Sequence, residues 1–105
     1  MKASMILLAL ALCPIGIANA EAQSAQRGLN YVRANCARCH SIDKVSESPL
    51  KIAPPFRDLH KRYPIESLEE TFAEGIRTGH QNMPEYRLET DQIRDVMAYF
   101  KTLER

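Results

Sequence analysis

Positions 36 to 40 read Cys36-Ala37-Arg38-Cys39-His40. Two thiols three positions apart lie on one turn of backbone, so both can bond to one edge of a flat ring. The histidine that follows can then place its imidazole on a metal at the ring's centre. This C-x-x-C-H spacing is the attachment signature of a c-type haem, held covalently through Cys36 and Cys39 with His40 on the iron. Rival chemistries fit the same residues less well. A thioredoxin-like redox pair needs βαβ surroundings, and no segment alternates like a strand. A structural zinc needs four ligands, the motif supplies three, and a histidine directly after a ligand cysteine is not finger spacing. A Cys36–Cys39 disulfide would close a loop too small to stabilise much.

The first twenty residues have the layout of an export signal. Met1-Lys2 is a short positive start, Ala3 to Leu12 an apolar run, and Ala18-Asn19-Ala20 a small-residue cleavage site. The segment predicts a secretory leader (residues 1–20) cut after Ala20, followed by one domain (residues 21–105). A spanning anchor is disfavoured, because the apolar stretch falls short of the roughly 20 residues required and Pro14 and Gly16 interrupt it. Cys13 follows Leu12 rather than a small residue, so it reads as a hydrophobe of the leader and not as a lipidation site.

The whole chain has 105 residues, with 14 Lys+Arg against 13 Asp+Glu. Without the leader, 85 residues remain, formally neutral, with two cysteines. Nucleic-acid binding has no basic excess to support it. A chain of this length builds only a marginal core by itself, so a cofactor filling the middle makes physical sense.

Three helices are predicted to position the motif. The first runs from about Ser24 to Cys39, with Leu29, Val32 and Cys36 on one face. The second is signalled by a capping box at Ser67-Leu68-Glu69-Glu70, carries Leu68, Phe72 and Ile76, and has its stop at Gly79. The third opens at Thr90, with Asp91 in its first turn and Ile93, Val96, Met97 and Phe100 at helical spacing, Tyr99 beside them. The stretch from Ser41 to Tyr63 holds Pro49, Pro54 and Pro55 and reads as loop, with one short helix over Arg57 to Arg62. The expected fold class is all-α. The expected core is Leu29, Val32, Leu59, Leu68, Phe72, Ile76, Ile93, Val96, Met97 and Phe100, packed on the haem or on each other.

An iron held by His40 alone would be open to small ligands, whereas a sixth ligand would make it a sealed relay. Candidates are Met83 in a loop before Pro84, Met97 on an apolar helix face, and the histidines His60 and His80. A thioether raises the reduction potential relative to a second imidazole.

In order along the chain, Gly28, Cys36-Ala37-Arg38-Cys39-His40, Ala53-Pro54-Pro55-Phe56, Asn82-Met83-Pro84 and Met97-Ala98-Tyr99-Phe100-Lys101 resemble the class I cytochromes c over nearly the whole domain. The resemblance implies three main helices and a short one wrapped around one covalent haem c. It implies Met83 as the distal iron ligand opposite His40, with His60 and His80 as bystanders. It places Gly28 against Tyr99 where the terminal helices cross, and it makes a proline carbonyl, Pro54 or Pro55, the acceptor that orients His40. Tyr63, Tyr86, Arg57 and Arg87 are candidates to meet the haem propionates. The chain departs from many larger relatives in having no Trp.

The function so implied is one-electron carriage between periplasmic redox proteins, outer-sphere, with no side chain doing acid–base or nucleophilic work. The protein is expected to be a monomer that docks donor and acceptor transiently, with no nucleic acid and no stable membrane insertion once the leader is gone. Formal neutrality predicts weak electrostatic steering. Two alternatives stand beside this: a haem sensor or peroxidase-like protein with a labile Met83, and a fixed electron-transfer subunit of a dehydrogenase or oxidase.

Overall fold

The computed structural model describes residues 15–75 and 83–104. Most of the leader, Cys13, and the second helix's Ile76 and Gly79, together with His80 and Asn82, lie outside these. The described residues form helices and loops without strands: α1 (Ile15–Asn35), a 3-10 turn (Phe56–Asp58) leading into α2 (Leu59–Arg62), α3 (Ile65–Glu74) and α4 (Thr90–Leu103). None of these helices is long and apolar enough to cross a membrane. The all-α expectation holds, with three main helices and one short one.

Two helices, α1 and α3, differ from expectation at their boundaries. α1 starts nine residues earlier, at Ile15, because Ala-rich Ile15–Ala25 contains no breaker strong enough to stop a helix. It also ends earlier, at Asn35. There the amides of Cys36 and Ala37 both reach the carbonyl of Val32, at 2.8 and 3.0 Å, and the chain leaves the helical path. α3 starts at Ile65 and not at a Ser67 cap. Pro64, extended just before it, has no N–H to lose and starts the helix by itself. Ser67 then lies inside the first turn, its amide bonded to the Pro64 carbonyl at 3.0 Å. Gly75 ends α3 with φ +102°. The third helix starts at Thr90 as expected, and Gln92 Oε1 accepts from the Glu89 amide at 2.9 Å to close its N-terminus.

α1 and α4 cross in direct contact. A Cβ built on Gly28 would lie 2.0 Å from the Asp95 carbonyl oxygen and 3.0 Å from Tyr99 Cβ. Glycine is therefore required less by the ring of Tyr99 than by the backbone of α4. Around the crossing, Asp95 accepts from Ser24 Oγ (2.6 Å), Arg27 Nε (3.0 Å) and Arg27 Nη2 (3.2 Å). The Arg27 guanidinium, helped by Ser24, holds the Asp95 carboxyl below its ordinary pKa against the opposing effect of desolvation. Val32 and Val96 are 1% exposed at the centre of this interface.

The core comprises Val32, Phe56, Leu59, Leu88, Val96, Met97, Tyr99, Phe100 and Leu103, with Leu29, Leu68, Phe72 and Ile93 half-buried against it. Phe56, Leu88, Tyr99 and Leu103 were not among the expected core residues. α3 buries no residue fully. Its outer face carries the exposed Glu66, Glu69, Glu70 and Glu74, while the exposed residues of α2 are His60, Lys61 and Arg62.

Gly28→Ala should destabilise the protein even though alanine is the better helix former by about 1 kcal/mol. The steric conflict with a backbone atom should outweigh that gain by about 1–3 kcal/mol, measured as a lowered denaturation midpoint. An unchanged midpoint would refute the close crossing. Asp95→Asn should cost about 1 kcal/mol at neutral pH. Because the carboxylate's pKa is lowered by folding, its contribution is complete above the ordinary carboxylate range and lost as pH falls through the lowered value. Denaturation curves of the two proteins should therefore converge in acid.

Candidate functional site

The C-x-x-C-H residues occupy the turn that follows α1. Cys39 N and His40 N both donate to the Cys36 carbonyl, at 3.2 and 2.9 Å, so the cysteines flank one tight turn and the histidine closes it. Cys36 and Cys39 are free thiols, both half-buried. Burial, aided by Cys39, pushes the Cys36 thiol up to about 11.

His40 is held on two sides. Its Nδ1 lies 2.8 Å from the Pro54 carbonyl oxygen. A carbonyl only accepts, so Nδ1 carries the proton and Nε2 keeps the lone pair with which a neutral imidazole binds a metal. Of the two prolines considered, Pro54 is the one that makes this bond. The ring also packs on Phe56, with centroids 4.8 Å apart, and Phe56 meets Phe100 edge-on at 5.0 Å. Phe72 follows at 6.3 Å from Phe100, so aromatic rings run from the motif to α3. The sequence reading missed Phe56 as a support for His40. Its place directly after Pro54-Pro55 was the available signal.

The loop from Ser41 to Pro55, which presents that carbonyl, is tied down by a polar network. Ser41 is buried; its amide donates to Ser48 Oγ at 3.0 Å and its hydroxyl meets Ser46 Oγ at 3.0 Å. Arg57 Nη1 donates to Ser46 O (2.7 Å), Ser41 Oγ (3.2 Å) and Asp43 O (3.4 Å). Asp43 accepts from the hydroxyl and amide of Ser46 and the amide of Val45, which hold its carboxyl at about 2. The amide of Phe56 returns to the Ser41 carbonyl at 2.9 Å, and the Leu50 amide to the Cys39 carbonyl at 3.0 Å. Tyr99 OH donates to the Ile42 carbonyl, joining the loop to α4. Among the described residues, no buried side-chain nitrogen or oxygen lacks a partner.

Met83 is half-buried in a bend between α3 and α4. Three residues on, Tyr86 OH donates to the carbonyl of Asn35 at 3.0 Å. Asn35 directly precedes Cys36, so this bond ties the Tyr86 phenol to the residue before the motif. Met97, by contrast, is buried on α4 within the core. His60 is exposed on α2. Among the propionate candidates, Arg57, Tyr86 and Arg87 each donate to a backbone carbonyl of the chain itself, while Tyr63 is exposed.

The donor set fits a haem: two free thiols on one turn, an imidazole with Nε2 available, and aromatic and aliphatic side chains beside it. A cytochrome c family model matches residues 25–104. Comparisons with curated proteins and with solved structures give no match.

Arg57→Ala removes three donations into the 41–46 loop, one of them to a buried hydroxyl. It should cost about 1–2 kcal/mol in denaturant. It should also speed proteolytic cleavage between residues 43 and 52 in the folded protein; cleavage at the wild-type rate would show that the loop holds without the guanidinium.

Proposed function

Because the chain belongs to the cytochrome c family, whose members carry covalent haem c and transfer electrons, we propose that it is a one-electron carrier with His40 and Met83 as axial ligands. The observation that carries this reading is the Nδ1 bond of His40 to Pro54 within a C-x-x-C-H turn. It leaves Nε2 to the iron and fixes the ring's rotation about its own axis. Cys36 and Cys39 would hold the porphyrin edge, and Met83, presented from the α3–α4 connection, would close the opposite side.

When bound, the haem supplies exchange between ferric and ferrous iron. The rest of the work belongs to the chain. The Pro54 carbonyl and Phe56 keep the imidazole in one orientation, so little rearrangement accompanies a change of charge. A thioether from Met83 favours the reduced state and raises the potential. Phe56, Phe100 and Phe72 exclude water from the interior side, which disfavours the extra positive charge in the same direction. None of these groups acts as acid, base or nucleophile.

The protein is proposed to be exported, cut after Ala20 and used in the periplasm as a monomer, meeting donor and acceptor proteins in turn. Gly16 to Gln23 of α1 are exposed, and burial begins at Ser24. Cleavage after Ala20 would thus remove exposed residues over 16–20.

Exported protein should be red, and its intact mass should exceed the polypeptide from Glu21 to Arg105 by one haem. The ferric spectrum should show an iron–thioether charge-transfer band that disappears in Met83→Ala, with a lowered reduction potential and rapid carbon monoxide binding after reduction. A colourless product of bare polypeptide mass would end the haem reading. A band that survives in Met83→Ala would end the ligand assignment.

A further inference from the structure

The C-terminal end of α3 is completed by residues from the far side of the Met83 loop. A helix leaves its last four carbonyls without intrahelical partners. In α3 the Thr71 carbonyl accepts from the Gly75 amide at 2.9 Å, in the ordinary way. The Phe72 carbonyl accepts instead from the Leu88 amide at 3.0 Å, and the Glu74 carbonyl from Arg87 Nη2 at 3.1 Å. Leu88 is buried in the core, so its end of this neck is anchored. Gly75 faces the other strand of the neck: a Cβ built on it would stand 2.5 Å from Glu85 Oε1. Its φ of +102° is one that other residues rarely adopt. Arg87 also places a cation at the negative end of the α3 dipole.

From this we infer that Arg87 is a positioning residue for Met83: by pinning the segment from Met83 to Leu88 to the end of α3, it sets how often the thioether leaves the iron. The inference rests on the proposed ligation by Met83. Without the guanidinium the segment would still be held by the Leu88–Phe72 and Tyr86–Asn35 bonds, but the tie nearest the end of α3 would be gone. With one tie fewer, the segment from Met83 to Leu88 would present the thioether less constantly, and the population open to an external ligand would grow. The apparent affinity for such a ligand scales with that population.

The test is titration of the ferric holoprotein with imidazole, which competes with the thioether. Arg87→Ala should bind imidazole about fivefold more tightly than wild type, the factor expected from loss of one hydrogen bond. Its potential should fall, and its iron–thioether band should weaken at equal haem content. Arg87→Lys, which can still donate to the Glu74 carbonyl, should recover most of the wild-type affinity. Lys101→Ala, at an exposed position of α4 outside the site, should leave imidazole affinity at the wild-type value. Wild-type protein without the band overturns the Met83 assignment and this inference with it. A wild-type band together with unchanged imidazole affinity in Arg87→Ala overturns the inference alone.

Discussion

The close passage of α1 over α4 is the constraint on which the rest of the molecule depends. Only a residue without a side chain can let the two backbones approach as they do at Gly28 and Asp95. That approach settles where Val32 and Val96 meet, and it fixes the direction in which α1 ends. The cysteines and His40 follow immediately from that end, so their place in the molecule is inherited from the crossing. Asp95 reinforces it electrostatically through Ser24 and Arg27, at a position where one backbone carbonyl and one carboxylate of a single residue both face the partner helix.

A second framework, built from polar groups, serves the histidine. The loop from Ser41 to Pro55 leaves Val45 and Ile52 exposed, and it is held largely by hydroxyls, an aspartate and one guanidinium. Small serines pair with one another, with the Ser41 amide and with the Asp43 carboxylate, and a half-buried Arg57 satisfies the Asp43 and Ser46 carbonyls that a loop would otherwise leave to water. The result is a carbonyl at Pro54 placed firmly enough to choose the tautomer of His40. Phe56, two residues later, adds an apolar wall, so the imidazole is set by one directional contact and one non-directional contact.

Much of this was legible in the residues alone. The haem motif, the all-α class, the third helix and the short helix after the prolines all rest on strong local signals: fixed spacing, helical periodicity, an acidic first turn, proline clusters. What stayed hidden depends on distance or on competition. Pro54 and Pro55 are chemically alike, and only the path of the loop separates them. Ser67 looked like a cap, yet Pro64 three residues earlier had already started the helix. The end of α1 depends on which carbonyl Ala37 selects, and propensity does not decide that. Arg57, Tyr86 and Arg87 resembled surface cations and phenols free to meet a cofactor; their backbone acceptors lie 11 to 51 residues away in sequence.

The charges on α2 and α3 have an implication for encounters in solution. Four exposed glutamates lie on α3 and a His-Lys-Arg run on α2, so these consecutive helices carry charge of opposite sign although the chain's formal net charge is only +1. A field of this kind draws nothing in from afar, since it decays faster than that of a monopole and salt screens it beyond about 10 Å. At contact range it exerts a torque. A partner that has already arrived by diffusion would be rotated toward one facing, which shortens the search over orientations without lengthening the reach of attraction.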